Sequence, residues 1–355
     1  MDVFVCGGCG GELSCPVEEV VLPAHARQRV GHDLLPALME PGTYAVDPEP
    51  AGPPWRAWDE VGVEGAAGRG VFAPVPGFSD GPVGAVVLAP GDVRGTVLIP
   101  ERCDGYCLGL DGRDGPNLAC GTCGRAVATR IDDCTFWQEV RLEPAEVRRV
   151  RGAGRSGADW GALASEYECV PLVEPSRTWN TGGDVFDEYW SPRWEAAIGA
   201  ALVDLLVETG GEPVRFSGGG LLAHLFGRTL AKLLPAGPPT RTVGLAGPGI
   251  DSGADIAVVP LHPRTGEVWR PGRAAGIVPL DARMWLYPAL GIVARESLPT
   301  PVSGGMPEGV RGDYPVSERL GDAFRPDREV FRHRLARHPA VREPWLRAIH
   351  DQGYF

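Results

Sequence analysis

The sequence predicts an α+β or α/β protein in two parts, a zinc-stapled, β-rich N-terminal module followed by a C-terminal mixed α/β domain. Three observations lead there. All nine cysteines lie between Cys6 and Cys169, and the rest of the chain has none. Short runs of β-branched residues crowd the first half, whereas in the second half apolar residues recur at the 3.6-residue helical period between short strand-like runs. The resulting division is a zinc-binding module over residues 1–147 with a Pro/Gly-rich insertion at about 47–82, and a linker and junction over 148–190. An α/β domain over 191–300 and an extension with a basic helix over 301–355 follow.

Composition sets the limits. With 355 residues, 43% of them apolar, the chain can bury a sizeable core, which excludes a wholly disordered protein. Its 50 glycines and 35 prolines imply long loops between short elements. A net charge of -12 weighs against nucleic-acid binding over the whole surface. No apolar run is long enough to span a membrane, and no basic segment precedes an apolar one at the N-terminus, so no membrane association and a cytoplasmic location are expected. Lys232 is the sole lysine, beside 33 arginines. That bias reads as the codon usage of a GC-rich genome and carries no function.

From the N-terminus, two segments share one pattern: Val3-Phe4-Val5-Cys6-Gly7-Gly8-Cys9-Gly10 and Leu118-Ala119-Cys120-Gly121-Thr122-Cys123-Gly124. Each is a short apolar stretch, a Cys-x-x-Cys turn and a glycine. Two thiolates this close fold back around one ion, and the glycine after them permits the positive φ that turns amide N–H groups toward sulfur. In a reducing compartment such pairs are read as metal ligands rather than disulfides. The segments resemble the paired knuckles of zinc-ribbon proteins. That resemblance implies one tetrahedral zinc held by Cys6, Cys9, Cys120 and Cys123, with Zn as the cofactor.

A local alternative remains open, Cys103-x3-Cys107-x12-Cys120-x2-Cys123. In that arrangement Cys6, Cys9 and Cys15 need a fourth ligand such as His25 or His32. The long pairing is preferred because Cys103-Asp104-Gly105-Tyr106-Cys107 lacks the knuckle pattern. Cys15, Cys103, Cys107, Cys134 and Cys169 remain candidates for a second site with a histidine, which their spacing does not decide. A thiolate-rich set, with no His-Glu-x-x-His and no deaminase motif, points to structural rather than hydrolytic zinc.

Around the cysteines, Ala85–Leu88 and Thr96–Ile99 flank Pro90-Gly91-Asp92 and read as a hairpin, with further strands at Ala126–Ile131 and Val140–Leu142. Residues 47–82 read as a long loop. Arg148, Arg149, Arg151 and Arg155, among Gly152, Gly154 and Gly157, read as a flexible basic link. The stretch with Trp179, Phe186, Tyr189, Trp190 and Trp194 reads as core rather than as a pocket or an interface.

Ser191-Pro192 is a helix start, with the serine as N-cap and the proline at the first helical position. Trp194, Ala197, Ile198, Ala201, Leu202, Leu205 and Leu206 then form one apolar stripe, closed by Gly210-Gly211. Pro213–Phe216 is a strand candidate. A second amphipathic helix carries Leu221, Leu222, Leu225, Phe226, Leu230, Leu233 and Leu234 and stops at Pro235. Thr242–Ala246 and Asp255–Leu261 are strands, the latter apolar enough to be buried on both faces.

Between the strand at Phe216 and the second helix lies Ser217-Gly218-Gly219-Gly220. Free amide groups at a helix N-terminus can cradle an anion. Ser217-Gly218-Gly219 resembles the start of the loop of ATP pyrophosphatases, which continues with a variable residue and Asp-Ser where this chain has Gly220-Leu221-Leu222. Toward the C-terminus, Arg325, Arg328, Arg332, Arg334, Arg337, Arg342 and Arg347 outnumber Asp327, Glu329 and Glu343, and Val330, Phe331 and Leu335 supply an apolar stripe, so a docked basic helix is expected.

The function these features favour is that of a binding or adaptor protein with structural zinc and an unidentified protein partner or small anionic ligand. One alternative is an enzyme holding a phosphorylated or carboxylated ligand at Ser217, Gly218, Gly219 and Gly220. Another is a nucleic-acid binder using the Arg-rich link and tail, which the net charge disfavours.

Overall fold

The computed structural model describes residues 1–31, 34–105, 107–152, 157–175, 188–217, 220–251, 253–273, 276–289 and 324–352. The architecture is α+β. The chain forms two compact units, one mainly from Met1–Arg69 and Pro74–Gly157, the other mainly from Gly70–Ala73, Ala158–Ser176 and Thr181–Phe355.

In the first unit the strands are β1 (Val3–Cys6), β2 (Glu18–Glu19), β3 (Thr43–Val46), β4 (Trp55–Arg56), β5 (Phe78–Ser79), β6 (Val86–Leu88), β7 (Thr96–Leu98), β8 (Leu118–Cys120), β9 (Ala126–Ile131), β10 (Glu139–Leu142) and β11 (Val147–Val150). Seven of them make one sheet in the order β2-β3-β6-β10-β9-β8-β7, antiparallel except for β2 with β3. Side chains alternate across it. Tyr44, Val86, Leu88, Val140 and Leu142 share one core with Phe4, Cys6, Leu13 and Cys120, while Ala45 and Val87 join Leu35, Leu38, Met39 and Trp137 in another.

The sheet corrects the expected hairpin. Both runs are strands, but β6 pairs with β3 and β10, and β7 pairs with β8. All three β6 residues are buried, so each edge of that strand needs a neighbour. The chain leaves it through a 3-10 turn at Pro90–Asp92 and bridges Val93 to Ser14 instead of reversing.

Residues 47–82 are not a plain loop, since they include the β4–β5 pair and helix α1 (Trp58–Gly68). The basic link is also shorter than expected. Arg148 and Arg149 lie in β11, which pairs antiparallel with β1, and Arg149 is ion-paired to Asp2 at 2.6 Å and Glu19 at 2.8 Å. Arg155 and Gly154 lie outside the described residues.

A buried charge network ties the large sheet together. Asp47 is fully buried and accepts from Arg141 at 2.8 Å and Arg27 at 2.5 Å, and Glu139 pairs with the other side of Arg141 at 2.8 Å.

The second unit is laid out differently. Its strands are β12 (Val173–Pro175), β13 (Glu188–Trp190), β14 (Val214–Phe216), β15 (Arg241–Leu245), β16 (Ile256–Leu261) and β17 (Gly276–Asp281), and its helices are α2 (Leu163–Glu166), α3 (Pro192–Thr209), α4 (Leu221–Leu233), α5 (Ala282–Ala289), α6 (Arg328–Arg337) and α7 (Pro344–Gln352). Strands β14 to β17 form a parallel sheet in chain order. Ile256, Val258 and Val259 on β16 are fully buried, as the apolar run predicts for a strand covered on both faces.

Helix α3 packs on β17 and on α6. Its whole predicted stripe is buried, at about 1.5–3 kcal/mol for each large side chain removed from water. Ser191 precedes it as expected, but its hydroxyl makes no capping bond, and its amide donates to Leu172 O instead. Gly210 closes the helix in the left-handed region at φ 62°.

On α4, Leu221, Leu222, Leu225, Phe226 and Leu230 are buried, and Leu233 is half-buried. Helix α6 docks as predicted through Val330, Phe331 and Leu335, with Asp327 capping Val330 N and Arg334 paired to Asp204 of α3. Trp190 and Trp194 belong to this core, Trp194 donating from Nε1 to Val170 O at 3.0 Å. Trp179 and Phe186 lie outside the described residues.

Candidate metal centre

Each knuckle hangs from the end of a strand, β1 for Cys6 and β8 for Cys120. The two turns are closed by matching bonds. Gly10 N donates to Cys6 O and Gly124 N to Cys120 O, while Cys6 N donates to Gly11 O and Cys120 N to Arg125 O, all at 2.8 or 2.9 Å. Gly10 at φ 78° and Gly124 at φ 75° occupy the left-handed region that an L-residue there would resist, which accounts for the glycine after each second cysteine.

The two turns face one another. Cys6 Sγ lies 3.6 Å from Cys123 Sγ, and Cys9 Sγ lies 3.6 Å from Cys120 Sγ, so two close approaches cross between the knuckles. All four sulfur atoms lie within 4.8 Å of one another. A tetrahedral ion with metal–sulfur bonds of about 2.3 Å holds its sulfurs about 3.8 Å apart, so the cluster fits a metal ion with little adjustment.

The surroundings favour the thiolate at Cys120 and Cys6 and the thiol at Cys9. Burial opposes charge on Cys120, but the amides of Cys123 and Thr122, with the Cys9 and Cys123 side chains, outweigh it and bring Cys120 down to about 6. Cys6 is lowered in the same way, the amides of Cys9 and Gly8 prevailing over burial. Cys9 has the favourable Gly11 amide, yet neighbouring Cys120, burial and the other two thiols push it up to about 11.

Arg125 supplies part of the balancing charge. It is ion-paired to Glu146 at 2.6 Å and feels the charge of Cys6 and Cys123. Its guanidinium lies against the first knuckle, where a Cβ at Gly8 would stand 2.8 Å from Nε and push this exposed, flexible side chain aside. Cys6 and Cys120 are buried, and Cys9 and Cys123 are exposed.

The local alternative is overturned. Cys120 and Cys123 face Cys6 and Cys9, while Cys103 Sγ donates to Ile99 O at 3.3 Å. Spacing in sequence left the local set open because it cannot register that β8 and β1 end side by side. His25 is not a ligand of this cluster, its ring packing on Trp137 at 4.4 Å, and His32 lies outside the described residues. Cys15 Sγ accepts from Arg94 Nε at 2.8 Å.

A second grouping joins Cys107 and Cys134, both candidates for a second site in the sequence, with Asp133, which sequence reasoning missed in favour of a histidine; their donor atoms also lie within 4.8 Å of one another. No Cys-x-x-Cys pattern marks it, and only the adjacency of Asp133 and Cys134 offered a signal.

At the predicted anion loop, the Ser217 hydroxyl donates to Val243 O at 3.1 Å and so serves the sheet. Gly220, at φ 76°, precedes α4 without a side-chain cap, and Gly218 and Gly219 lie outside the described residues. Among the described residues no helix is long and apolar enough to cross a membrane. Comparison with protein-family models, with curated proteins and with solved structures gives no match.

Proposed function

We propose that Cys6, Cys9, Cys120 and Cys123 bind one structural zinc ion that closes the first unit, and that the chain acts as a zinc-stapled binding or adaptor protein. The observation that carries the zinc assignment is the crossed pair of 3.6 Å sulfur contacts, one ligand pair from each strand end. Four thiolates fill a tetrahedral zinc and leave no open position for water, so the ion holds structure rather than activating a substrate. Soft sulfur donors favour zinc over calcium or magnesium. The adaptor reading rests on that closed site, and on the Ser217 hydroxyl being taken up by Val243 rather than left for an anionic ligand.

The test is metal content. Protein purified without chelator should carry zinc, and a chain lacking residues 1–12 should lose the equivalent held by the knuckles. A truncated chain that keeps its full zinc content would remove Cys6 and Cys9 from the site. A thermal-shift screen of ATP, GTP, phosphosugars and single-stranded RNA separates the functional classes. Stabilisation by a nucleotide or phosphosugar would replace the adaptor reading with the enzyme, and salt-sensitive RNA binding would replace it with the nucleic-acid binder.

A further inference from the structure

The second grouping lies away from the knuckles, between the loop after Pro100–Arg102 and the loop joining β9 to β10. Cys107 Sγ, Cys134 Sγ and a carboxylate oxygen of Asp133 lie within 4.8 Å of one another. Asp133 is only 3% exposed. Its Oδ2 accepts from Leu108 N at 3.0 Å, but its Oδ1 is buried with no hydrogen-bond partner. A buried carboxylate oxygen left without a donor is costly, and a cation is the partner that two adjacent sulfurs and such an oxygen would share.

The backbone is bent to make this arrangement. Cys107 at φ 41° and Thr135 at φ 80° are the non-glycine residues found at positive φ among the described residues, the first a member of the cluster and the second next to Cys134. Such conformations persist where the surrounding structure enforces them.

We infer that Cys107, Asp133 and Cys134 form a second divalent-metal site, distinct from the four-cysteine cluster, that takes zinc through two thiolates and the Asp133 carboxylate. Sulfur with one carboxylate oxygen suits a borderline ion such as zinc and not calcium or magnesium, which take oxygen alone. Cys103 is occupied with Ile99 O. Three protein donors leave a fourth position for water or an incoming ligand, the pattern of an open zinc site. Cys107 is exposed, so one of the three ligands faces solvent.

The experiment counts zinc by elemental mass spectrometry in the full chain, purified without chelator, and in Cys107→Ser, Asp133→Asn and Cys120→Ser. The parent should hold two equivalents. Cys107→Ser changes an exposed side chain, and Asp133→Asn keeps an acceptor for Leu108 N. Each should drop to one equivalent with an unchanged near-ultraviolet circular dichroism spectrum. Cys120→Ser, which should unfold the first unit that holds both clusters, should lose both equivalents, whereas Cys107→Ser and Asp133→Asn should keep the knuckle one, so the second assignment can fail while the first stands.

Equal zinc in the parent and the first two variants would overturn the second site. So would an intact mass two hydrogens lighter in protein kept without reductant, if that loss maps to a Cys107–Cys134 disulfide. If the variants misfold, cobalt titration of the parent decides. Thiolate-to-cobalt absorption should rise in two steps, in a ratio of four sulfurs to two, and saturation after one equivalent would overturn the inference.

Discussion

The two units solve the same problem with different means. In the first, the longest strand has six residues, and buried apolar side chains are divided between the two faces of one sheet. In the second, α3 alone buries eleven of its 18 residues between the parallel sheet and α6. A divided core gains less from each element, and the first unit has features the second lacks among the described residues: a thiol cluster joining strand ends, and a fully buried carboxylate between two arginines. Where apolar burial is thin, specific bonds between distant segments take over, and they bring a dependence on metal and on charge.

The largest effect should follow from breaking the cluster. Cys120→Ser should release the knuckle zinc and unfold the first unit, because structural zinc contributes on the order of 10 kcal/mol that is coupled to folding. The second unit should keep its own melting transition. Cys169→Ser, which touches neither cysteine cluster, should leave both transitions in place. Calorimetry with zinc analysis checks this, and loss of both transitions together in Cys120→Ser would mean that the units do not stand alone.

Next come two substitutions that should separate the units by mechanism. Arg141→Ala leaves Asp47 buried with half its charge partners and should cost the first unit about 3–5 kcal/mol. Leu202→Ala leaves a cavity under α3 and should cost the second unit about 2–5 kcal/mol with zinc content unchanged. Urea unfolding followed by unit-specific tryptophan fluorescence distinguishes them.

The smallest effect is one of sign. Acid should weaken the first unit, because its thiolates must be deprotonated to hold metal, and the fold, which holds Cys120 down to about 6 from an ordinary 9.0, loses that contribution as the pH falls from about 9 through about 6. The second unit should show the opposite slope. Burial, and then the Asp327 charge, push Glu195 up to about 8 despite Arg325. A carboxyl whose pKa is raised by folding favours the native state most below its ordinary value of 4.5, and that stability is lost as the pH rises through about 8. Glu195→Gln should flatten this decline, read as melting temperature against pH from 5 to about 9. A parent second unit with no such decline would place Glu195 in a wetter environment than its packing implies.

Local order was largely legible in the sequence. The apolar period of α3, the Val330–Leu335 stripe, the buried run of β16 and the knuckle pattern with its two glycines each declare themselves within a few residues, because helix period, strand burial and turn conformation are short-range constraints. Pairing between distant segments was not. The expected β6–β7 hairpin failed because register depends on which neighbours cover Val86, Val87 and Leu88, and the expected basic link hid β11 because nothing near Arg149 names Asp2 as its partner. Glycine and cysteine spacing determined that two knuckles exist. Only the tertiary structure, by ending β1 beside β8, decided that they face each other across about 110 residues of chain, and by folding two loops together it set the Asp133 carboxylate between Cys107 and Cys134. Side-chain chemistry is written locally, but the juxtaposition that turns it into a site is set by long-range packing, whose loop-closure cost is met by the whole fold and leaves no mark at either end.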